Sequence, residues 1–162
     1  MKFFLDSAHV HEIEHALKMW NLDGVTTNPR HVQASGKPFM QVIREIAVLF
    51  AGTDKTVSVE VDPHLDDHEA MVVQAEKLAA ISPNFVIKLP AVEAGYKAVA
   101  VLKERGIRSN LTLVFSAAQA LMAMRMGAHF ISPLSAGKSL TPRRPSASTP
   151  APSSARAPST PR

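Results

Sequence analysis

Short apolar or β-branched runs alternate with amphipathic segments along the first 132 residues of this chain, and the pair recurs about every 20 to 30 residues. Such runs bounded by turn residues are typical of buried strands, and apolar residues at helical spacing are typical of helices. The predicted order is therefore βαβαβαβαβαβ. Strands joined through helices form parallel sheets with right-handed crossovers, so the pattern predicts an open doubly wound sheet or a (β/α)8 barrel.

The predicted elements are regularly spaced. Six strands are predicted at residues 2–5, 25–27, 56–61, 85–90, 107–114 and 129–132, and five helices at 7–20, 39–50, 67–81, 94–105 and 117–126. We expect Ser7 to cap the first helix and Asp66 or Asp67 to cap the third. The inward face of the first helix is predicted to comprise Val10, Ile13, Leu17 and Trp20.

Polar side chains lie at or near the carboxyl ends of all six predicted strands. They are Asp6, Asn28, Glu60, Lys88, Asn110 with Thr112, and Ser132. In a barrel those ends converge on one mouth, where catalytic groups lie. A dinucleotide-binding sheet would need a glycine-rich loop after the first strand, and this sequence has none there. We therefore predict an α/β protein, a (β/α)8 TIM barrel of which only about six β/α units are present.

Lys88 stands near the end of the apolar run 85–90, where a charged side chain is unusual. Removing an ammonium from water is costly, so such a lysine reaches solvent, pairs with an acid or serves as an amine nucleophile. The other strand ends supply carboxylates for proton transfer and hydroxyl or amide groups for binding polyols. This set permits an imine on a keto sugar, which could act as an electron sink for carbon–carbon bond cleavage or formation, and we expect it to require neither a metal nor a cofactor.

The net charge of +4 is unevenly distributed. Residues 1–137 hold 13 basic and 14 acidic side chains, whereas the five basic residues from Lys138 onward have no acidic neighbours. Because residues 1–137 are nearly neutral, they do not have the charge of a nucleic-acid-binding domain. An alternative is that the basic tail contacts nucleic acid, but the tail has few basic residues and no aromatic residues, so this alternative is weak.

No apolar run reaches the length of a membrane span, the amino terminus does not fit a signal peptide, and cysteine is absent. We expect a cytoplasmic protein.

Two further clusters have ordinary interpretations. His11 and His15 share a helix face at a spacing that could bind a metal, but no carboxylate or cysteine partner is evident, so we interpret them as part of a solvated face. Met122, Met124 and Met126 are interpreted as helix packing rather than as a binding surface.

Three motifs in order resemble signatures of the transaldolases. They are Asp23-Gly24-Val25-Thr26-Thr27-Asn28-Pro29, Phe85-Val86-Ile87-Lys88-Leu89-Pro90 and Asn110-Leu111-Thr112-Leu113-Val114-Phe115-Ser116. Phe3, Leu5-Asp6-Ser7-Ala8 and Ile131-Ser132-Pro133 match in type and order. The resemblance covers residues 1 to 133 and is closest to the small transaldolases, a subfamily that includes the fructose-6-phosphate aldolases.

The resemblance implies a role for each strand-end residue. Lys88 would form the Schiff base with the donor ketose phosphate, and Asp6 would move the proton of the donor hydroxyl during cleavage. Glu60 and Thr112 would hold the water that carries protons to and from the imine. The sugar hydroxyls and the intermediate would be bound by Thr26, Asn28, Asn110 and Ser132.

The implied reaction transfers a dihydroxyacetone unit from sedoheptulose 7-phosphate or fructose 6-phosphate to an aldose phosphate, in the pentose phosphate pathway. Glu60 favours a transaldolase over the related aldolases, which tend to carry glutamine on that strand. The partners implied are sugar phosphates, with no nucleic acid and no membrane, and the intact family implies a homo-oligomer. The alternatives are a fructose-6-phosphate aldolase-like lyase and an inactive truncated remnant.

The resemblance ends after Pro133, where transaldolases continue with Phe-Val-Gly-Arg and this chain reads Leu134-Ser135-Ala136-Gly137-Lys138. If residues 134–142 are written with the allowed codons TTG TCG GCC GGA AAA TCC TTG ACG CC, one C restored after the first TT gives Phe-Val-Gly-Arg-Lys-Ile-Leu-Asp-Ala. We therefore predict two regions. Residues 1–137 form a partial barrel with exposed edge strands, poor stability and little activity. Residues 138–162 form a disordered, Pro/Ser/Ala/Arg-rich tail, and our hypothesis is that a one-base deletion near codon 134 put it out of frame.

Overall fold

The computed structural model describes residues 1–134 and shows one parallel sheet of six strands in sequence order. Each strand pairs in parallel with the next one along the chain. The strands are β1 Phe4–Asp6, β2 Gly24–Thr26, β3 Thr56–Glu60, β4 Phe85–Pro90, β5 Ser109–Val114 and β6 Phe130–Pro133. The predicted partial (β/α) barrel is confirmed.

Six helices connect these strands. They are α1 Val10–Trp20, α2 Pro29–Ala34, α3 Phe39–Phe50, α4 His68–Ala79, α5 Glu93–Glu104 and α6 Ala117–Met126. The predicted cap of α4 is confirmed at Asp67, whose carboxylate accepts a hydrogen bond of 2.8 Å from the backbone N–H of Ala70. Gly127 ends α6 in a left-handed conformation that glycine adopts without steric cost.

The sheet is strongly curled. Neighbouring strands lie about 4.8 Å apart, so β1 and β6 would be roughly 24 Å apart in a flat sheet. The rings of Phe4 on β1 and Phe130 on β6 instead meet edge to face, with centroids 5.5 Å apart. Ser58 on β3 and Asn110 on β5 also share a hydrogen bond across the intervening strand β4. Contact between alternate strands on the inner face is the arrangement found inside a barrel.

The two faces of the sheet differ in chemistry because alternate residues of a strand point to opposite sides. The outer face packs under the helices and contributes to the core through Val25, Val57, Val59, Ile87, Leu89 and Leu111, all of them fully buried. The inner face carries the polar residues predicted from the strand ends. The apolar core therefore holds the helices on the sheet, while the inner face is free for polar groups.

Strand β5 breaks its own alternation near its end. Leu113 has a φ of 59°, unusual for a leucine, and the pairing with β6 shifts register between Leu111 and Val114. Such a bulge inserts one residue and turns those beyond it to the other face. Thr112 therefore stays on the inner side, whereas Val114 joins the apolar core instead of entering the mouth.

Three local predictions for the first third of the chain were wrong. The N-cap of α1 is His9, and Ser7 instead accepts a hydrogen bond from the backbone N–H of His9. Trp20 is 64% exposed rather than packed. Helix α2 was missed, because Asn28-Pro29 signals the end of a strand and equally well signals a helix whose first residue is proline.

Apolar side chains are exposed at both ends of the row of helices. α1 packs mainly on α3 and leaves Met19 and Trp20 exposed, while α6 packs mainly on α5 and leaves Leu121, Met122 and Met124 exposed. In a closed barrel every helix has a neighbour on each side. The interpretation of Met122 and Met124 as packed residues is therefore wrong, and only Met126 of that set packs against the core.

The predicted boundary at residue 137 and the tail 138–162 lie outside the described residues. Within residues 1–134, none of the helices combines the length and the hydrophobicity needed to cross a lipid bilayer.

Candidate active site

Lys88 is buried in the middle of the inner face, with 8% of its surface exposed. Its Nζ donates a hydrogen bond of 3.2 Å to the backbone carbonyl of Thr27 and lies 3.4 Å from Glu60 Oε2. The ion pair follows from sheet register, because Glu60 on β3 is aligned directly with Lys88 on β4. A buried amine is thus held by Glu60 on the adjacent strand β3 and by the carbonyl of Thr27, the residue that follows β2.

Glu60 is the only partner of Lys88 that can exchange a proton among these contacts. Burial raises the pKa of the Glu60 carboxyl above its ordinary value, and the nearby Lys88 ammonium opposes part of that rise. A carboxyl group with a raised pKa can accept and return a proton nearer to neutral pH. The pair therefore combines an amine that can attack a carbonyl with an adjacent acid or base.

A chain of hydrogen bonds joins three strands beside this pair. Ser132 Oγ donates to Asn110 Oδ1 at 2.9 Å, and Asn110 Nδ2 donates to Ser58 Oγ at 3.0 Å. Both Asn110 and Ser58 are nearly fully buried. The same groups line a cavity of about 360 Å³ whose other lining residues are Phe4, Thr26, Phe130, Ile131 and Pro133. Polar groups and the aromatic rings of Phe4 and Phe130 therefore line the same cavity.

The remaining predicted site residues lie around the mouth in different settings. Asp6 ends β1 with 60% of its side chain exposed, and its Oδ2 lies 3.3 Å from His31 Nε2. Asn28 Oδ1 caps α2 by accepting a hydrogen bond of 3.0 Å from the backbone N–H of His31. Thr112 is buried beside Pro90 in the register of β4 and β5. No direct hydrogen bond joins Thr112 to Glu60 within residues 1–134.

The structure adds two residues that the strand-end pattern did not single out. Ser58 stands two residues before Glu60 on the same face, so its inward direction could have been read from the alternation of β3. Its contact with Asn110 depends on sheet curvature, which the sequence does not display. His31 lies on the missed helix α2, and the capping residue Asn28 three positions earlier was the available signal.

Substitution of Ser58 by alanine should destabilise the protein. The change leaves the buried Asn110 amide without an acceptor, which costs about 1–3 kcal/mol in the free energy of unfolding. Urea unfolding of S58A measures this loss. S109A is the matched control, since Ser109 is equally buried on β5 but lies outside the Ser132–Asn110–Ser58 chain. Equal losses in the two variants would show that the hydrogen-bond chain has no particular effect.

The residues at the mouth do not form a metal centre. Across residues 1–134, no three His, Asp or Glu side chains are grouped so that they could hold a metal ion. His11 and His15 are both exposed on α1. The arrangement that the structure does present is a buried lysine, an adjacent carboxyl group and a ring of hydroxyl and amide groups.

Comparison with known proteins agrees with this arrangement. Residues 3–135 match the model of one family, described as transaldolase/fructose-6-phosphate aldolase. The chain belongs to that family. The match covers all six strands, and the family resemblance predicted from the three motifs is confirmed.

Curated relatives from several bacteria are similar over the same part of the chain. A 6-deoxy-6-sulfo-D-fructose transaldolase from Priestia aryabhattai is 51% identical over 134 residues, which is 82% of this chain and 59% of that protein. A probable transaldolase from Sulfurihydrogenibium sp. is 50% identical over 133 residues, with the same coverage of both proteins. Another from Desulforudis audaxviator is also 50% identical over 133 residues, with 82% of this chain and 60% of that protein covered. The chain thus spans about three fifths of the length of these relatives.

Proposed function

We propose that the chain forms a Schiff base with a ketose through Lys88 and transfers a dihydroxyacetone unit to an aldose phosphate. The observation that carries the proposal is the buried Lys88 amine, 3.4 Å from Glu60 at the carboxyl ends of adjacent strands. Membership of the transaldolase/fructose-6-phosphate aldolase family supports the same chemistry.

The proposed reaction balances in four steps. The neutral amine of Lys88 attacks the ketose C2 carbonyl, and loss of water with uptake of one proton from Glu60 gives an iminium; this proton returns to Glu60 when the product iminium is hydrolysed. Asp6 then takes the proton of the C4 hydroxyl, the C3–C4 bond breaks, and the bonding electrons move into the iminium to give an enamine. The shortened aldehyde leaves. The enamine carbon attacks the carbonyl of an acceptor aldehyde, Asp6 returns the proton, and hydrolysis of the new iminium releases the product and Lys88.

We assign the other polar groups the roles that the family resemblance implies, and their positions at the cavity and the mouth support this assignment. Glu60, with Thr112, handles the water that leaves and re-enters during imine formation and hydrolysis. Sugar hydroxyl groups are bound by donors and acceptors that face the cavity or the mouth, namely Thr26, Asn28, Asn110 and Ser132. Ser58 keeps the amide of Asn110 in a fixed orientation through its hydrogen bond.

The proposed donors are ketoses that carry an anionic group at the end remote from the carbonyl. Fructose 6-phosphate and sedoheptulose 7-phosphate are the first candidates and would place the protein in the pentose phosphate pathway. A second candidate is 6-deoxy-6-sulfo-D-fructose, because a transaldolase named for that substrate is 51% identical to this chain. The two candidates share the same carbonyl chemistry and differ in the terminal anion.

Borohydride trapping tests the proposal. Incubation with fructose 6-phosphate or with 6-deoxy-6-sulfo-D-fructose, followed by reduction and peptide mass analysis, should give a stable adduct on Lys88. The donor that gives more adduct identifies the preferred anion. If neither donor nor dihydroxyacetone modifies Lys88, the proposed function is wrong.

The closest alternative is a lyase that releases free dihydroxyacetone. The presence of Glu60 on β3 favours transfer, because the related aldolases tend to carry glutamine on that strand. The two reactions are separated by measuring free dihydroxyacetone against the transfer product at saturating acceptor aldehyde. Predominant release without transfer would support the lyase.

Replacement of Glu60 by glutamine should change the pH profile as well as the rate. Protonation of Glu60 removes the base, so the rate should fall as the pH decreases through a pKa that burial has raised above 4.5. In E60Q that acidic limb should disappear and kcat should drop about 10²- to 10⁴-fold. Initial rates across pH 4 to 8 measure both effects. A wild-type limb that persists unchanged in E60Q would assign it to a different group.

A further inference from the structure

We propose that His31 is a positioning residue for Asp6, holding the carboxylate in the orientation that accepts the donor hydroxyl proton. The inference rests on the proposed function, since it concerns the same carbon–carbon cleavage. It adds a residue that none of the three motifs placed in the site. Two features of the structure carry it, the contact between Asp6 and His31 and the way in which helix α2 is fixed.

Asp6 has little else to hold it. It is the last residue of the short edge strand β1, and more than half of its side chain is exposed. Within residues 1–134, its side chain makes no hydrogen bond or ion pair other than the 3.3 Å contact with His31. An exposed carboxylate on a flexible side chain samples several rotamers, and proton transfer requires one of them.

His31 is fixed more firmly than Asp6. Its backbone N–H is bonded to Asn28 Oδ1, and its neighbour Val32 is buried in the apolar core, so α2 is fixed at both points. The imidazole is about two-thirds buried, which limits its rotation. His31 Nε2 can therefore serve as a stable reference point for the carboxylate of Asp6.

The contact leaves the reacting atom of Asp6 available. His31 Nε2 faces Oδ2, so Oδ1 remains free to accept a proton from the substrate hydroxyl. At 3.3 Å the pair is a few tenths of an ångström longer than a typical N–H···O hydrogen bond. Catalytic hydrogen bonds often shorten by that amount when substrate binds. An N–H donated to Oδ2 would fix the plane of the carboxyl group both before and after Oδ1 accepts the proton.

The test compares H31L with H31Q in the full chain. Both substitutions keep the backbone N–H that donates to the capping residue Asn28, but only glutamine can still donate a side-chain hydrogen bond to Asp6. H68L is the matched control. His68, the first residue of α4, makes a similar contact of 3.5 Å with Asp67, and both residues are far along the chain from Asp6. The D6N variant and the D6N/H31L double variant complete the set.

Two measurements are made on each variant. Borohydride trapping with dihydroxyacetone reports imine formation, which needs no carbon–carbon cleavage. The release of glyceraldehyde 3-phosphate from fructose 6-phosphate reports cleavage. We expect H31L to form the adduct like wild type, to lose about 10- to 100-fold in kcat for cleavage and to keep its KM. H31Q should restore most of that loss, H68L should have no effect, and H31L should add nothing in the D6N background.

The outcomes separate this inference from the proposed function. If wild type gives no adduct, the proposed function fails and the inference fails with it. If wild type gives the adduct but H31L and wild type release glyceraldehyde 3-phosphate equally, whether both are active or both inactive, the inference alone is wrong. It is also wrong if H31L loses adduct and cleavage in parallel, or if H31L slows the D6N variant further.

Discussion

The K88M variant should form no borohydride-reducible adduct and should lose essentially all transfer activity. Methionine has a similar length and fills the same buried position, but it has no amine to attack a carbonyl. The loss should be at least about 10⁴-fold, the upper end of the contribution of a single positioned proton-transfer group, because the covalent intermediate itself is lost. Adduct mass and initial rate measure the two effects.

Lys97 provides the control for this prediction. It lies on α5 with its Nζ 2.8 Å from Glu93 Oε1, and more than half of its side chain is exposed. K97M should form the adduct at the wild-type level, since an exposed helix ion pair contributes little. Transfer by K88M at a rate near that of wild type, or a reduced adduct found on Lys97 instead, would contradict the assignment of the nucleophile.

The G95A variant should lose about 3 kcal/mol in the free energy of unfolding, although alanine normally stabilises a helix relative to glycine by about 1 kcal/mol. Gly95 is in the first turn of α5, directly over the end of β4. A Cβ built there would lie 1.9 Å from the backbone carbonyl oxygen of Pro90, a fixed atom that cannot rotate away. The helix or the strand must move, and Lys88 is two residues before Pro90. Adduct formation should therefore fall as well.

Gly36 separates the effect on stability from the effect on the site. It has a φ of +70°, and no atom lies within 4 Å of the position that an alanine methyl group would take, so G36A costs only the backbone strain of about 1–2 kcal/mol. Urea unfolding and borohydride trapping of both variants provide the comparison. G36A should lose stability but keep the adduct. If G95A were as stable as wild type, close packing of α5 on Pro90 would not be a requirement of the fold.

The pair Lys88 and Glu60 could be predicted from the sequence because it depends only on strand order and register. Two consecutive parallel strands that each carry an ionisable residue near the carboxyl end can place those residues side by side. The alternation of β3 would likewise place Ser58 on the same face as Glu60. These features come from local patterns combined with one general rule about parallel sheets.

Contacts that depend on curvature or on absent neighbours could not be predicted in this way. The bond between Asn110 and Ser58 crosses a strand and exists only because the sheet curls. Trp20 has the periodicity of a buried residue, but a residue is buried only when another element covers it, and among residues 1–134 α3 is the one helix that packs closely on α1. The bulge at Leu113 breaks the alternation without any glycine or proline to mark it.

The contact between Phe4 and Phe130 bears on how this sheet keeps its shape. No ladder of hydrogen bonds joins β1 to β6 within residues 1–134. Hydrogen-bonded closure fixes the circumference of a barrel, whereas two interior rings that touch fix a diameter. Asp6 and Ser132 each lie two residues after one of these rings, on β1 and β6. The contact between the rings therefore sets the distance between Asp6 and Ser132. Further strands could enter between the outer edges of β1 and β6 without any rebuilding of the interior.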